Sequence, residues 1–324
     1  MAKRVSWVKG MRLTDEILKA SDNCHHEWVR KAYLLASAGR FGLLPSSRRF
    51  HVSISINKNV VDVEALDCLA ITNDGCLIDI QYDSCYTSFF DTRVVIPETE
   101  KKELLLIVHV AQGEWLDMGD GFCHPAYSYG LQPADMPLAD NALPVARLVD
   151  EYGWRIDDLD FVPPCLYVQS HPYYMAACEQ FTEVLRQINA SLVRVLDADC
   201  KVAVSVYWPF VQSLLITMDK DQDLMSPMNL LGHVQKCVGA FLCACQLDKI
   251  KLQDPTPYQD FVGAAYSYRH VHTKIKEGIA LCVSLVAKVD KLGELEIPQP
   301  VATPQPAPQS VDVKKRKIWD GKVI

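Results

Sequence analysis

The stretch Leu143–Ser170 constrains the fold of this chain most, because the hydrophobic pattern changes its period there. In its first part, alternate residues of Val145–Val149 fall on opposite sides, and this period of two is typical of a β-strand. Glu151–Gly153 has the composition of a tight turn. Trp154–Ile156 follows the turn and is predicted to be the return strand.

Two consecutive prolines, Pro163 and Pro164, exclude a helix or a central strand from the end of this stretch. Each proline lacks a backbone N–H and has a fixed φ angle, so regular hydrogen bonding cannot pass through them. Beyond Ser170 the apolar residues follow a helical period for most of the remaining chain. We therefore interpret Leu143–Ser170 as a hinge between a β-rich half and an α-rich half.

The β-rich half contains several short strand patterns. Apolar residues alternate with polar ones across Val52–Asn57, and Asn73–Gly75 offers the positive φ angles of a hairpin turn. Leu104–Val110 is a continuous apolar run that predicts a central strand. Gly113–Pro144 is rich in Gly, Pro and Asp and predicts an irregular loop or projection. Together these patterns predict an antiparallel β-sandwich within residues 1–170.

One helix is predicted ahead of the strands. Thr14 has the character of an N-cap, and Asp15 and Glu16 lie in the first turn, where they favour the helix dipole. The helix should end before Gly39. Its apolar residues at helical spacing are Ile17, Cys24, Trp28 and Leu35.

The α-rich half, residues 171–292, has two apolar seams whose members are alternately three and four positions apart. This spacing keeps one stripe of a helix against a neighbouring helix. One helix is predicted from about Pro172 to Leu196 and another from about Tyr258 to Lys291. The seam residues are Cys178, Phe181, Leu185, Ile188, Leu192 and Val195, then Phe261, Ala265, Tyr268, His272, Ile275, Ile279, Cys282, Val286 and Val289.

Two further apolar segments, Val202–Met218 and Met228–Leu247, complete a predicted four-helix bundle. The seams fit a bundle within one chain, and they also fit a contact between subunits. A contact between subunits would use six residues of the seams. These are Phe181, Leu185, Ile188, Leu192, Ile275 and Ile279.

Composition excludes several classes of function. The net charge of -7 argues against general nucleic-acid binding, which needs a basic surface. The twelve cysteines have no C-x-x-C spacing and are expected to be reduced, buried thiols of a cytoplasmic protein. No apolar run reaches the roughly 20 residues of a spanning helix, so we expect membrane contact through partners only.

The sequence predicts no enzyme, no metal site and no cofactor. The neighbouring histidines His25 and His26 point about 100° apart on a helix, which does not suit a shared metal ion. No Ser or Cys lies in the context of a nucleophile elbow. His272 falls on an apolar seam and is expected to be a hydrogen-bonded histidine of the core or of an interface.

Residues 293–324 have a different character. Five prolines between Pro298 and Pro308 predict an extended, disordered segment. Lys314–Lys317 is followed by Ile318 and Trp319. These terminal residues fit either a solvated basic end or a docking peptide, in which Lys315, Ile318 and Trp319 would make the contacts.

Several segments of the chain resemble, in the same order, the TssK family of type VI secretion baseplate subunits. The resemblance is carried by Trp7-Val8-Lys9-Gly10-Met11-Arg12-Leu13, Phe41-Gly42-Leu43, Asp74-Gly75 with Asp79, Ala146-Arg147-Leu148, Leu159-Asp160 and Phe161-Val162-Pro163-Pro164-Cys165-Leu166. The family's Pro-Gln-His-Phe is replaced here by Thr14-Asp15-Glu16-Ile17. The resemblance extends from Trp7 to about Leu292.

The resemblance implies an α+β fold with a β "shoulder" (1–170), a helical "neck" (171–292) and assembly as a homotrimer. It also implies that the shoulder binds the wedge proteins TssF and TssG, and we predict Trp7, Met11 and Leu13 as its apolar anchors. The family's C-terminal "head" contacts the membrane complex. The chain is expected to lack this head, with its tail binding the envelope anchor instead.

The sequence is thus interpreted as a non-enzymatic adaptor that links a contractile baseplate to its envelope anchor. The resemblance places such an adaptor in the cytoplasm, at the inner membrane face, where it is held by partners. The alternative is a phage-type receptor-binding or carbohydrate-binding trimer. An aromatic-lined groove would favour that alternative.

Overall fold

The computed structural model of the protein describes most of the chain up to Leu292. The described residues are 4–37, 39–46, 49–81, 91–117, 123–157, 160–198, 202–221, 224–247, 252 and 254–292. The Pro-rich tail, predicted from its composition to be disordered, lies outside them.

The β-rich half begins with one helix and continues in strands. Helix α1 spans Asp15–Ser37, and Thr14 caps it, since the Thr14 hydroxyl accepts the Ile17 N–H at 3.4 Å. The strands are β1 Gly42–Leu43, β2 His51–Asn57, β3 Val60–Ile71, β4 Leu77–Ile80, β5 Arg93–Val95, β6 Glu103–Asp117, β7 Cys123–Pro133, β8 Ala142–Asp150 and β9 Trp154–Ile156.

The strands form two antiparallel sheets. In the first sheet, the long strand β3 pairs with β1, β2, β4 and β5, and Gly75 at φ 84° supplies the predicted turn between β3 and β4. The second sheet has the order β7-β6-β8-β9, so the apolar run Leu104–Val110 is central, as predicted. The predicted class, antiparallel sheets followed by helices, is confirmed.

The prediction of an irregular projection over Gly113–Pro144 was wrong. Strand β6 continues to Asp117, and β7 returns along it from Cys123 to Pro133. Tyr127, Tyr129 and Leu131 alternate with smaller or polar residues, and this period of two outweighs the local density of Gly and Pro. Pairing with β6 therefore decides the conformation of the segment Cys123–Pro133.

The two motifs Phe41–Leu43 and Phe161–Leu166 lie side by side in the structure. Leu43 donates its N–H to the Pro164 carbonyl at 2.8 Å, and Leu166 donates to the Leu43 carbonyl at 2.9 Å. Gly42 has φ +127°, and a Cβ there would lie 2.3 Å from the Pro164 oxygen. Only glycine permits this close approach of two backbones, which ties the end of the hinge to the first sheet.

The α-rich half contains helices α2 Pro172–Ala198, α3 Val202–Asp221, α4 Pro227–Leu247, α5 Thr256–Gly263 and α6 Val271–Leu292. Helices α2, α3, α4 and α6 form a four-helix bundle in which α2 contacts α3 and α6, and α4 contacts the same two. Most of the buried apolar residues form one cluster that continues from the sheets into this bundle, and Leu105, Ile107 and Ala142 form a second, smaller cluster.

The predicted last helix, from Tyr258 to Lys291, is interrupted. Helix α5 ends at Gly263, and α6 begins only at Val271. Gln235 of α4 stabilises the break, because its side-chain amide donates to the Phe261 carbonyl at 3.1 Å and to the Ala264 carbonyl at 2.8 Å. Carbonyls that a continuous helix would satisfy are satisfied here by a side chain.

Among the described residues, one helix is long and apolar enough to cross a membrane by length and composition, and this is α4. Nine of its residues are buried against the rest of the bundle, including Leu230, Val234 and Phe241. Packing of these residues within the bundle thus accounts for part of the hydropathy of α4.

Candidate interaction surfaces

The six side chains predicted for contacts between subunits lie inside the bundle of a single chain. Phe181, Leu185, Ile188, Leu192 and Ile275 have no accessible surface, and Ile279 retains 2%. A side chain that is already covered within one chain has no surface left for a second chain. The two seams therefore account for the packing of one protomer, and a contact between protomers would have to use other faces.

The outward face of α3 is such a face. The segment Val202–Met218 contains no charged residue. Val206 is 49% exposed and Ile216 is 53% exposed, and Pro209 and Ser213 between them are also exposed. These four positions are separated by three, four and three residues, which is the spacing of a stripe that packs against another helix.

Two sets of hydrogen bonds fix the rotation of α3 so that this stripe faces outward. On one side, the Asn189 side-chain oxygen of α2 accepts hydrogen bonds from the Trp208 indole N–H at 2.9 Å and from the Gln212 amide. On the other side, the buried Tyr207 hydroxyl donates to the Cys237 carbonyl of α4 at 3.3 Å.

The outward face of the neighbouring helix α2 differs from this stripe because it is charged. Its exposed residues include Glu179, Glu183, Arg186 and Arg194.

The N-terminal segment presents the predicted anchors to solvent. Trp7 is 54% exposed and Leu13 is 62% exposed, whereas Met11 is half-buried. Residues 4–13 carry three basic residues and no acidic residue, although the whole chain has a net charge of -7. The segment therefore combines exposed apolar side chains with a positive charge, on a protein that is acidic as a whole.

A polar cluster joins the second sheet to the bundle. Arg147 of β8 donates to the Asp157 carboxylate through two nitrogens and to the Asp160 carbonyl at 3.2 Å. Burial alone would raise the pKa of Asp157, but hydrogen bonds from Arg147 and from the Asp160 N–H outweigh it and leave this pKa below its ordinary value. The paired charges make this cluster a structural contact.

His272 at the start of α6 completes the junction. Its Nε2 lies 2.8 Å from the Asp160 carbonyl, and Tyr173 of α2 donates its hydroxyl to the His272 carbonyl at 2.8 Å. Burial lowers the pKa of His272 below its ordinary value, and the Arg147 charge adds to this effect, whereas the hydrogen bond to the Asp160 carbonyl opposes it. The expected hydrogen-bonded core histidine is confirmed.

Two clefts flank the linker between α5 and α6, where Tyr268 and Arg269 pack against the β-rich half. The first has a volume of about 280 Å³, and its charged residues include Arg147 and Asp135, which are paired with Asp157 and Lys101. Its lining residues are Glu103, Leu105, Ala134, Asp135, Pro144, Arg147, Phe161, Val162, Pro164, Tyr268, Arg269 and His270. Because Arg147 and Asp135 are held in these ion pairs, they are poorly placed for acid–base chemistry.

Within the described part of the chain, no three His, Cys, Asp or Glu side chains are grouped so that they could hold a metal ion. The predicted docking residues of the tail, Lys315, Ile318 and Trp319, lie outside the described residues.

Solved structures of TssK share this fold. A chain of the TssK–TssF–TssG baseplate subcomplex of a type VI secretion system, determined by cryo-electron microscopy, aligns with a TM-score of 0.58 and 15% identity. The alignment covers 89% of this chain and 99% of that one. A crystal structure of TssK aligns with a TM-score of 0.58 and 13% identity, over 92% of this chain and 70% of that one.

TssK from the EAEC type VI secretion system, solved with a nanobody, aligns with a TM-score of 0.53 and 18% identity, over 83% of this chain and 68% of that one. The resemblance to TssK is thus confirmed at the level of the fold, which has the shoulder and neck architecture. No protein-family model and no curated protein matches the sequence.

Proposed function

We propose that this chain is a structural, non-enzymatic subunit of a type VI secretion baseplate, and that it works as an adaptor between other proteins. The observation that carries the proposal is the likeness of both halves, over 89% of this chain, to a chain of the TssK–TssF–TssG baseplate subcomplex. Exposed apolar surfaces on α3 and on the N-terminal segment support it, because an adaptor needs surfaces for partners.

The subunit assembles as a homotrimer through the outward stripe of α3. This stripe has the spacing of a helix contact, and no charge opposes its burial. Removing the exposed halves of Val206 and Ile216 from water contributes about 1 kcal/mol each, in every copy of the contact. A three-fold axis beside α3 would bring three such stripes together.

The N-terminal segment binds the wedge proteins TssF and TssG, with Trp7, Met11 and Leu13 as anchors. Tryptophan is enriched among the few residues that dominate the energy of protein contacts, and Trp7 is 54% exposed. The positive charge of residues 4–13 favours an acidic partner surface.

The tail, residues 293–324, tethers the trimer to the envelope anchor through Lys315, Ile318 and Trp319. Its basic residues beside an isoleucine and a tryptophan suit an acidic groove. The adaptor would thus act at the cytoplasmic face of the inner membrane, held there by its partners.

The test is co-purification of the full chain with TssF and TssG of the same secretion system. The unaltered chain is expected to form one complex with both. Deleting residues 1–13 leaves the Thr14 cap of α1 in place and should abolish co-purification without loss of helicity by circular dichroism.

A pair of point variants sharpens this test. Trp7→Ala should weaken binding by roughly tenfold or more, as expected for an aromatic anchor. Ser6→Ala in the same exposed segment serves as the matched control and should bind like the unaltered chain. If the unaltered, folded chain does not bind the wedge proteins, the proposed function is wrong.

A further inference from the structure

The second of the two clefts beside the linker between α5 and α6, here called the linker cleft, has no role in the proposed function. It has a volume of about 390 Å³. Phe41 and Tyr268 form its aromatic part, with ring centroids 5.2 Å apart in an edge-to-face arrangement. Its other lining residues are Asn73, Pro137, Leu138, Ala139, Ser267 and Arg269. The linker cleft is thus an aromatic and aliphatic groove with a polar border.

The polar border of the linker cleft offers hydrogen-bond donors. The Arg269 guanidinium donates to the Tyr268 hydroxyl at 3.0 Å and to the Met136 carbonyl. Because a guanidinium has five N–H groups, others remain for a ligand. Among the described residues that line this cleft, Arg269 is the only charged one. The lining therefore fits an uncharged chain that is rich in carbonyl oxygens and poor in N–H groups.

A proline-rich segment has this chemistry. Proline lacks a backbone N–H, and a polyproline II helix makes no internal hydrogen bonds, so its carbonyl oxygens are free to accept from a protein. Aromatic-lined grooves bind such segments. Residues 298–310 of this chain contain five prolines and no charged residue. The chain itself thus carries a segment that matches the lining of the cleft.

The sequence of that segment predicts one apolar face. Pro298, Val301, Pro304 and Ala307 follow one another at intervals of three residues. A polyproline II helix has three residues per turn, so these four side chains share a face. Gln305 falls on a different face. The apolar face is the one expected to enter the cleft.

The length of the tail allows this face to return to the linker cleft of its own chain. Helix α6, Val271–Leu292, rises about 1.5 Å per residue, so its end lies about 32 Å from the linker at its start. An extended proline-rich chain spans up to about 3.1 Å per residue, which gives about 28 Å at Val301, about 37 Å at Pro304 and about 46 Å at Ala307. Pro304 and Ala307 can therefore reach the cleft, whereas Val301 cannot.

We propose that the linker cleft is a binding site for the proline-rich segment of the same chain, with Pro304 and Ala307 against Phe41 and Tyr268. A weak contact is enough, because the tail keeps the segment at a high effective concentration beside the cleft. The docked segment holds the terminal residues near the β-rich half, and its release restores the full reach of the tail. This docking occurs within one chain and does not depend on the proposed function.

Photo-crosslinking residues in the tail of the full chain test the docking. At positions 304 and 307 they are expected to crosslink to lining residues of the cleft, as identified by mass spectrometry. Position 305, on a different face, is the matched control and should give a lower yield. Equal yields from positions 304 and 305, or crosslinks only to residues outside the cleft, would overturn the proposal.

Two charge variants of the tail separate the faces again. Pro304→Glu should lower the crosslink yield from position 307 by roughly tenfold, because it places a carboxylate in an apolar contact. Gln305→Glu adds the same charge to a different face and should leave that yield unchanged. Both positions lie outside the described helices and strands, so the cleft itself is unaltered in these variants. Equal yields in the two variants would contradict the predicted face.

Two further measurements identify the occupant. When isotope-labelled and unlabelled chains are refolded together, the expected crosslinks join peptides of the same isotopic composition. Crosslinks between labelled and unlabelled peptides would overturn docking within one chain. A photo-crosslinking residue at position 139, which is exposed at the edge of the cleft, is expected to capture the tail in native cells. Capture of another protein or of a glycan instead of the tail would also overturn the proposal.

Discussion

His272 has a hydrogen-bond partner at one ring nitrogen and none at the other. Since the Asp160 carbonyl can only accept, Nε2 carries the hydrogen of the neutral ring. Nδ1 is buried without a hydrogen-bond partner. Protonation would place an N–H at Nδ1 where no acceptor waits, close to the Arg147 charge, so the folded state favours neutral imidazole.

This residue makes the stability of the protein depend on pH. Because folding lowers the pKa of His272, the unfolded chain binds a proton first as the pH falls. The contribution of His272 to the free energy of unfolding is therefore fully present above about pH 6.5. It declines as the pH falls below that value, until the lower pKa of the folded state is reached. We expect denaturant unfolding to show lower stability at about pH 5.5 than at about pH 7.5.

His272→Gln is expected to reduce that difference, because a glutamine amide can donate to Asp160 and does not titrate. His171, whose pKa is also lowered by burial and by His272, retains part of the dependence. His51→Gln, at an exposed position outside this junction, is the matched control substitution. If the free energy of unfolding fell equally between the two pH values in His272→Gln and in the unaltered chain, this account would be contradicted.

Gly278 in α6 is required by packing. A Cβ there would lie 2.2 Å from Cζ of Phe261 and 2.6 Å from Cγ1 of Val234, both of which are buried. Gly278→Ala should therefore destabilise the protein by about 1–3 kcal/mol in denaturant unfolding, although alanine favours helices. Gly232→Ala in α4, where no atom lies within 4 Å, should be neutral or stabilising by up to about 1 kcal/mol. Equal effects of the two substitutions would refute the argument from packing.

An aspartate substitution is expected to have opposite outcomes in helix α3 and in helix α2. Val206→Asp and Ile216→Asp place charge in the outward stripe of α3, so they should convert a trimer into folded monomers in light scattering. Leu185→Asp places charge at a position with no accessible surface and should unfold the chain instead. A folded monomer from the unaltered chain at micromolar concentration would exclude the trimer.

The comparison of α3 with α2 also explains what the sequence could predict. The seams of α2 and α6 were visible because one apolar stripe on a polar helix has a clear period. The inference that they join subunits stays a prediction without support from the single chain, because periodicity cannot distinguish neighbours in one chain from neighbours in another. Helix α3 is apolar on all sides, so no period distinguishes its buried face from its exposed one.

Tertiary contacts decided the elements that the sequence did not predict. The break before α6 depends on Gln235, which lies on another helix and reaches the carbonyls of Phe261 and Ala264. Strand β7 depends on its pairing with β6. Neither partner is near in sequence, whereas the Thr14 cap and the Gly75 turn are local and were predicted.

At the scale of the whole molecule, the basic clusters lie at the two ends of an acidic chain. Residues 1–13 contain four basic residues and no acidic one, and Lys314–Lys317 forms a second cluster. The net charge of -7 means that the segment between them is more acidic than the chain as a whole. The two ends are thus suited to acidic partners, and both contacts should weaken as salt concentration rises.

The tail should act separately from the body. The proline content of residues 293–310 predicts an extended linker with a reach of about 50 Å, which would let the terminal peptide bind without fixing the angle between bodies. Three tails on one trimer raise the effective concentration, so individually weak contacts give a stable attachment.

A chain truncated after Leu292 keeps every described helix and strand. It should trimerise and bind the wedge proteins like the full chain, yet lose the envelope anchor in pull-down from native cells. Trp319→Ala tests the aromatic contact alone, and Gln305→Ala in the linker is its control. Truncation removes the basic residues and the extended linker together. If Trp319→Ala alone also loses binding of the envelope anchor, the contact is assigned to the terminal peptide. Secretion and anchor binding that survive truncation would exclude the tail as the tether.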